Sequence, residues 1–195
     1  MKNITFGLLV AAAAILAGCV VTSVRPFYTE KDLVFEPALV GDWIKEGKNA
    51  GDYEVWKFEK SAALAYRFTL IEADKATVME AHAFKLQGQL FLDIASIDQD
   101  IQVIPPHYLL KVSQVTPALR MSELNHDWLK GLLGKEPNAI PHHLVRSGDK
   151  PEDLRVVLTA DTPELQKFVL NHLKTEGAWK DSFKLTREPQ PAGQK

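Results

Sequence analysis

Leu64-Ala65-Tyr66-Arg67-Phe68-Thr69-Leu70 alternates without a break: Leu64, Tyr66, Phe68 and Leu70 fall on one face, Ala65, Arg67 and Thr69 on the other. Successive side chains of a strand point to opposite sides, so this period of two marks a strand with one face buried. Tyr53 to Glu59, Ala76 to Leu86 and Leu90 to Ile97 repeat the pattern less strictly, and Gln87-Gly88-Gln89 supplies a hairpin turn between the last two. Leu39 to Ile44, Tyr108 to Val115, Ala118 to Leu124, Leu154 to Ala160 and Ser182 to Arg187 complete a set of about nine expected strands. Short connections make this an antiparallel meander.

Two helices are expected to interrupt it, giving a mainly β fold with two helices. Asp161-Thr162-Pro163-Glu164 is a start signal, with a capping oxygen, a proline in the first turn and an early carboxylate. Leu165, Phe168, Val169, His172 and Leu173 follow at helical spacing, with Gly177 as the stop. The second helix is expected over His126 to Leu133, capped by Asn125 and ended by Gly134. Glu136 to Pro151 then reads as a long loop, a length often used for lids or binding segments.

The beginning of the chain has a different logic. Lys2 precedes an uncharged run, Phe6 to Ala17, whose twelve residues fall short of the roughly 20 that span a bilayer. That is the layout of a signal peptide, residues 1–18. Leu16-Ala17-Gly18-Cys19 resembles the bacterial lipobox, and Cys19 is the only cysteine. The resemblance implies a lipoprotein whose Cys19 becomes the first mature residue and carries acyl chains, so that membrane lipid is its first partner. Val20, rather than Asp, after the cysteine implies the outer membrane, on the periplasmic side of the cell envelope. Arg25 to Phe35 is also similar to the start of bacterial lipoproteins of unassigned function. Residues 19–32 are expected to form a lipidated terminus and tether, 33–188 one β-rich domain, and 189–195 a disordered tail.

Composition agrees with a single globular domain: 46% hydrophobic, 25% charged, net charge -2. There is no basic block, which argues against nucleic-acid binding. With Cys19 acylated no thiol remains for a disulfide or for catalysis, so the domain must be held by its core.

Pro37-Ala38-Leu39-Val40-Gly41-Asp42-Trp43 opens the first long strand with a Gly-x-Trp. It resembles the lipocalin and calycin signature, which implies an open or closed barrel with Trp43 packed under one end and Gly41 in a close turn. A β-sandwich or roll is the alternative architecture. In a barrel, Trp43, Tyr66, Phe68, Leu70, Phe84, Leu92, Tyr108 and Leu110 are candidates to line a pocket for a hydrophobic small molecule or lipid, with Tyr66 and Tyr108 as polar handles. The competing expectation is a filled barrel with a structural or protein-interaction role and no identified partner.

Chemistry-bearing residues are sparse. His126, Asp127, His142 and His143 flank the shorter helix and are weak candidates for a metal, because His142 and His143 are adjacent and point apart in an extended segment. Glu80 and His82 share a strand face, and His107 follows Pro105-Pro106. These suit proton transfer only if they meet in a cleft. Asp93, Asp98 and Asp100 lack the Gly and final Glu of a calcium loop. No cofactor motif, nucleophile elbow or phosphate loop is present, so a hydrolase or metal-dependent enzyme is the third reading, resting on His82, His107 or the His126/His143 region sharing a cleft.

Overall fold

The computed structural model describes residues 20–46, 53–73, 75–97, 105–146 and 154–188. The signal segment, the lipobox, Asp98, Asp100 and the 189–195 tail lie outside the described residues. In chain order the strands are β1 (Thr22–Ser23), β2 (Leu33–Val34), β3 (Gly41–Glu46), β4 (Tyr53–Lys60), β5 (Tyr66–Glu72), β6 (Lys75–Leu86), β7 (Gln89–Ser96), β8 (His107–Gln114) and β9 (Ala118–Leu124). Helix α1 (His126–Lys135), β10 (His142–Arg146), β11 (Leu154–Leu158), α2 (Thr162–Asn171) and β12 (Trp179–Arg187) follow.

Strands β3 to β9 form an antiparallel meander, and β12 closes it by pairing with both β9 and β3. The result is a closed eight-stranded antiparallel barrel of lipocalin-like form, not a sandwich or roll. Alternation decides what fills it. Tyr66, Phe68 and Leu70 point inward and are buried, whereas Arg67 is exposed. Leu64 drops out of the pattern: β5 starts at Tyr66, leaving Leu64 at 38% exposure.

A second core lies outside the wall, where α1, α2 and the N-terminal segment cover β6, β7 and β8. Phe27, Phe84, Phe91, Leu109, Leu129 and Leu165 belong to it. These strands are therefore buried on both faces. Ala83 and Leu92 face the lumen core while their chain neighbours Phe84 and Phe91 face the helices, and the two Phe rings stack at 5.4 Å. Phe84 thus lies outside the barrel, not among its lumen residues.

Several elements differ from the sequence expectation. Residues 20–32, expected as a tether to the domain, are built into the sheet: β1 pairs with β8 and, in parallel, with β11, and Phe27 is buried. Val20 forms an isolated bridge to Asn125. The segment read as one long loop contains β10, which pairs along its length with β11. Asn125 and Asp161 cap their helices as expected, accepting from Asp127 and Trp128 and from Glu164. Neither expected glycine stop holds: α1 runs through Gly134 to Lys135, and α2 ends at Asn171, six residues before Gly177.

The Gly-x-Trp end is sealed. Trp43 is fully buried, its Nε1 donates to the Leu39 carbonyl at 2.8 Å, and the Arg187 guanidinium lies 4.6 Å above its ring. Arg187 also donates to the carbonyls of Val40 at 3.0 Å and Ala38 at 2.6 Å. Gly41 sits between them with φ +128, and a Cβ there would stand 2.8 Å from the Arg187 Nη1. At Gly88, φ is +85 with open space around. Both Gly→Ala variants are expected to destabilise, Gly88→Ala by roughly 1–2 kcal/mol from backbone conformation alone. Gly41→Ala should cost more because it also displaces the Arg187 clasp. Urea unfolding of the two variants checks that order, and equal losses would refute the clasp.

Candidate functional site

The lumen is filled at one end and hollow at the other. Toward the Gly-x-Trp end, Trp43, Phe58, Tyr66, Ala81, Leu92 and Val112 pack against one another with no accessible surface to speak of. Tyr66 reinforces this plug by accepting from the Glu36 amide at 2.6 Å and stacking on Phe35 at 5.0 Å. Toward the other end the same strands line a cavity of about 240 Å³. Each strand supplies alternate residues to it: Phe68, Leu70 and Glu72 from β5, Thr77 and Met79 from β6, Ile94 and Ser96 from β7. Tyr108 and Leu110 of β8 and Glu123 of β9 continue the wall, and the Trp56 and Phe183 rings pack beside them at 4.9 Å, tilted by 50°.

The wall is incomplete on one side. β8 bonds to β9 from Leu110 onward but to β1 at His107 and Tyr108. At this fork Val20, Val21, Leu109 and Leu124 reach the cavity, although the last three belong to the outer core. The hollow therefore extends to the first described residue of the chain.

Of the expected lining residues, Phe68, Leu70, Tyr108 and Leu110 line the cavity. Trp43, Tyr66 and Leu92 face the lumen but belong to the plug, and Phe84 faces the helices. Tyr108 is the polar handle that remains; burial pushes its hydroxyl pKa up to about 12, against a smaller opposite pull from Arg155. Trp56, Met79, Ile94 and Phe183 carry the correct strand parity and were legible in principle. Val20 and Val21 had no such signal, because a two-residue strand has no period.

The proton-transfer candidates do come together, but elsewhere. On the outer face, Asp93 is 1% exposed and accepts from the Phe27 amide at 2.8 Å, while its other oxygen lies 2.7 Å from His107 Nδ1. His82 Nδ1 is 3.1 Å from the Tyr28 hydroxyl, whose pKa rises to about 12 through burial, with Asp93 and Glu80 adding to it. Burial lowers the His82 pKa, opposed by Glu80 and Asp93 and reinforced by His107. None of these residues lines the cavity. Their geometry is that of a clamp fastening residues 27 and 28 to β6, β7 and β8.

The metal candidates are dispersed among structural roles. His126 is buried with Nε2 donating to the Leu154 carbonyl at 2.9 Å, His142 bonds the Ile140 carbonyl at 2.9 Å, and His143 is exposed on β10. Among the described residues no three His, Cys, Asp or Glu side chains form a group that could hold a metal ion, and no helix is long and apolar enough to cross a membrane. No known family model, curated protein or solved structure matches this chain.

Removing the clamp carboxylate by Asp93→Ala leaves a buried amide without its acceptor and is expected to cost at least about 2 kcal/mol. Acidification should act in the same region. A depressed His82 pKa means that the unfolded chain binds a proton more readily than the folded one. Stability is then full above the ordinary value of 6.5 and falls as the pH drops toward the folded value. His172, also lowered by burial, adds in the same direction. Melting temperatures between pH 7.5 and 5 should therefore decline and should decline less in His82→Asn; an unchanged slope would contradict the assignment.

Proposed function

We propose that this protein is a bacterial lipoprotein, moored by acylated Cys19 to the outer membrane on its periplasmic side, whose barrel holds a hydrophobic small molecule or lipid. The observation that carries the binding role is the half-empty lumen. A fully packed barrel, the competing reading, would continue the plug through both ends, whereas here about 240 Å³ is lined by aliphatic and aromatic side chains. Apolar cavities of about 150 Å³ already take up a small aromatic molecule. Tyr108 and Thr77, beside Glu72 and Glu123, are polar groups of the kind that orient a ligand in such a site.

The anchoring role is supported by the lipobox resemblance at Leu16 to Cys19. In cells, the N-terminal peptide of the mature protein should carry the mass of an acylated cysteine, and Cys19→Ser should abolish that mass. An unmodified mature terminus beginning at another residue refutes the anchor.

The binding role has its own test. A leaderless chain starting at Val20 keeps every described residue, and titration with uncharged N-phenyl-1-naphthylamine should give saturable, one-to-one fluorescence enhancement. Leu70→Trp, which fills the lumen, should weaken this at least about tenfold, a loss of roughly 1.4 kcal/mol. Phe84→Leu, on the outer face, should leave it unchanged. Absence of saturable binding, or equal sensitivity to both substitutions, refutes the pocket.

A further inference from the structure

Val20 and Val21 line the cavity at the fork between β8, β9 and β1. Val20 is fixed by its bridge to Asn125 and walls the cavity together with Val21. Covalent geometry keeps the Cα of residue 19 within about 3.8 Å of that of Val20. No length of linker separates the proposed lipid attachment point from the hollow.

The chemistry of the wall restricts what enters. Glu72 and Glu123 are its charged members, and no Lys, Arg or His is among the described lining residues. A free fatty acid or a lipid phosphate would bring a third negative charge into a low-dielectric site that already contains two carboxylates. An ester-linked or amide-linked acyl chain has no charge and meets no such repulsion. The volume restricts it further. Taking about 30 Å³ for each water-sized group, the cavity holds about eight of them, which suits the end of one chain and not a pair.

Resting on the lipoprotein reading above, we infer that the cavity is the receptacle for one acyl chain carried on Cys19 of the same molecule. Attachment beside the cavity turns binding into an intramolecular step, with an effective concentration in the millimolar range. A bilayer is as good a solvent for that chain as the lumen, so the chain inserts in lipid when the protein is seated on a membrane. When the protein is off the bilayer, the lumen takes the chain out of water. The remaining chains stay outside, because the space does not admit them.

Metabolic labelling with a terminal-diazirine fatty acid places a photoreactive group on Cys19 in the full chain. After purification and ultraviolet irradiation in bilayer-free buffer, cross-links are expected within 66–72 and 89–96, the segments that contribute Phe68, Leu70 and Ile94. Leu70→Trp should reduce them at least fivefold, and Ile94→Phe provides the same test with a smaller substitution. The lipidated protein should also bind an uncharged fluorescent acyl ester about tenfold more weakly than the leaderless chain starting at Val20. Cross-links confined to outer surfaces, together with equal ester binding by both forms, overturn the inference while leaving a pocket for an external ligand intact. Failure of the leaderless chain to bind the ester refutes the pocket itself, and absence of label from Cys19 refutes the anchor; either result also removes the inference.

Discussion

One edge of strand β8 serves two neighbours, and the position at which it changes from one to the other organises the molecule. From Leu110 onward it bonds to β9 and completes the barrel, whereas His107 and Tyr108 bond to β1. A closed sheet has no free edge, so an additional strand can join only where two wall strands diverge. The fork creates such an edge, and β1 fills it, with β11 and β10 added beyond. The N-terminal segment is thereby a structural part of the barrel rather than a leash attached to it. The same divergence lets Val20 and Val21 touch the lumen.

Filling that edge requires polar groups to be satisfied far from the strand ladder. The chain leaves β1 and crosses the outer face of β6 to β8, where the wall is otherwise apolar. Asp93 meets the requirement by accepting the Phe27 amide while its second oxygen engages His107. A buried carboxylate is tolerated only when its oxygens are occupied, and a donor left behind on its removal has no alternative partner. The aromatic part of the clamp follows from the same crossing. Phe27 belongs to the outer core, and the Tyr28 ring packs 4.7 Å from His82 and 5.9 Å from Phe84. Thr162 and Gln166 of α2 then donate to the carbonyls of Pro26 and Phe27, so the helix, the crossing segment and the wall form one layer.

The barrel was legible in the sequence because a two-residue period survives wherever one face of a strand is wet. Tyr66, Phe68 and Leu70 against Arg67 is such a case. It was less legible where a strand is covered on both sides: Ala83, Phe84, Phe91 and Leu92 are all buried, and nothing local tells which of them face the lumen. Phe84 was misplaced for that reason. Strands β1 and β2 have two residues each and carry no period, and β10 is an exposed edge strand with Leu144 and Val145 outward. Capping residues Asn125 and Asp161 signalled both helix starts, because a cap is a local interaction. The helix ends are set by packing: Gly134 lies inside α1 and Gly177 six residues past α2, and neither defines an end. The gathering of His82, Asp93 and His107 depends on strand pairing, and their separation along the chain gave no sign that they fasten Phe27 and Tyr28.

The division of the lumen into a plug and a hollow follows from side-chain size along each strand. Near the sealed end, Trp43, Phe58 and Tyr66 together occupy space that eight strands enclose, and the small residues Ala81 and Ala83 make room for them. Past Phe68 the rings of Trp56, Phe183 and Tyr108 stand in the wall, and Leu70, Thr77, Ile94 and Ser96 leave the centre unfilled. Closing that space with larger residues would have gained packing energy, since empty apolar volume forfeits dispersion contacts. A hollow lined with hydrocarbon, bordered by carboxylates and adjoining the N-terminal edge is thus a standing cost to stability. On the proposed reading that cost is offset whenever an uncharged chain occupies the space, which couples the stability of the barrel to lipid.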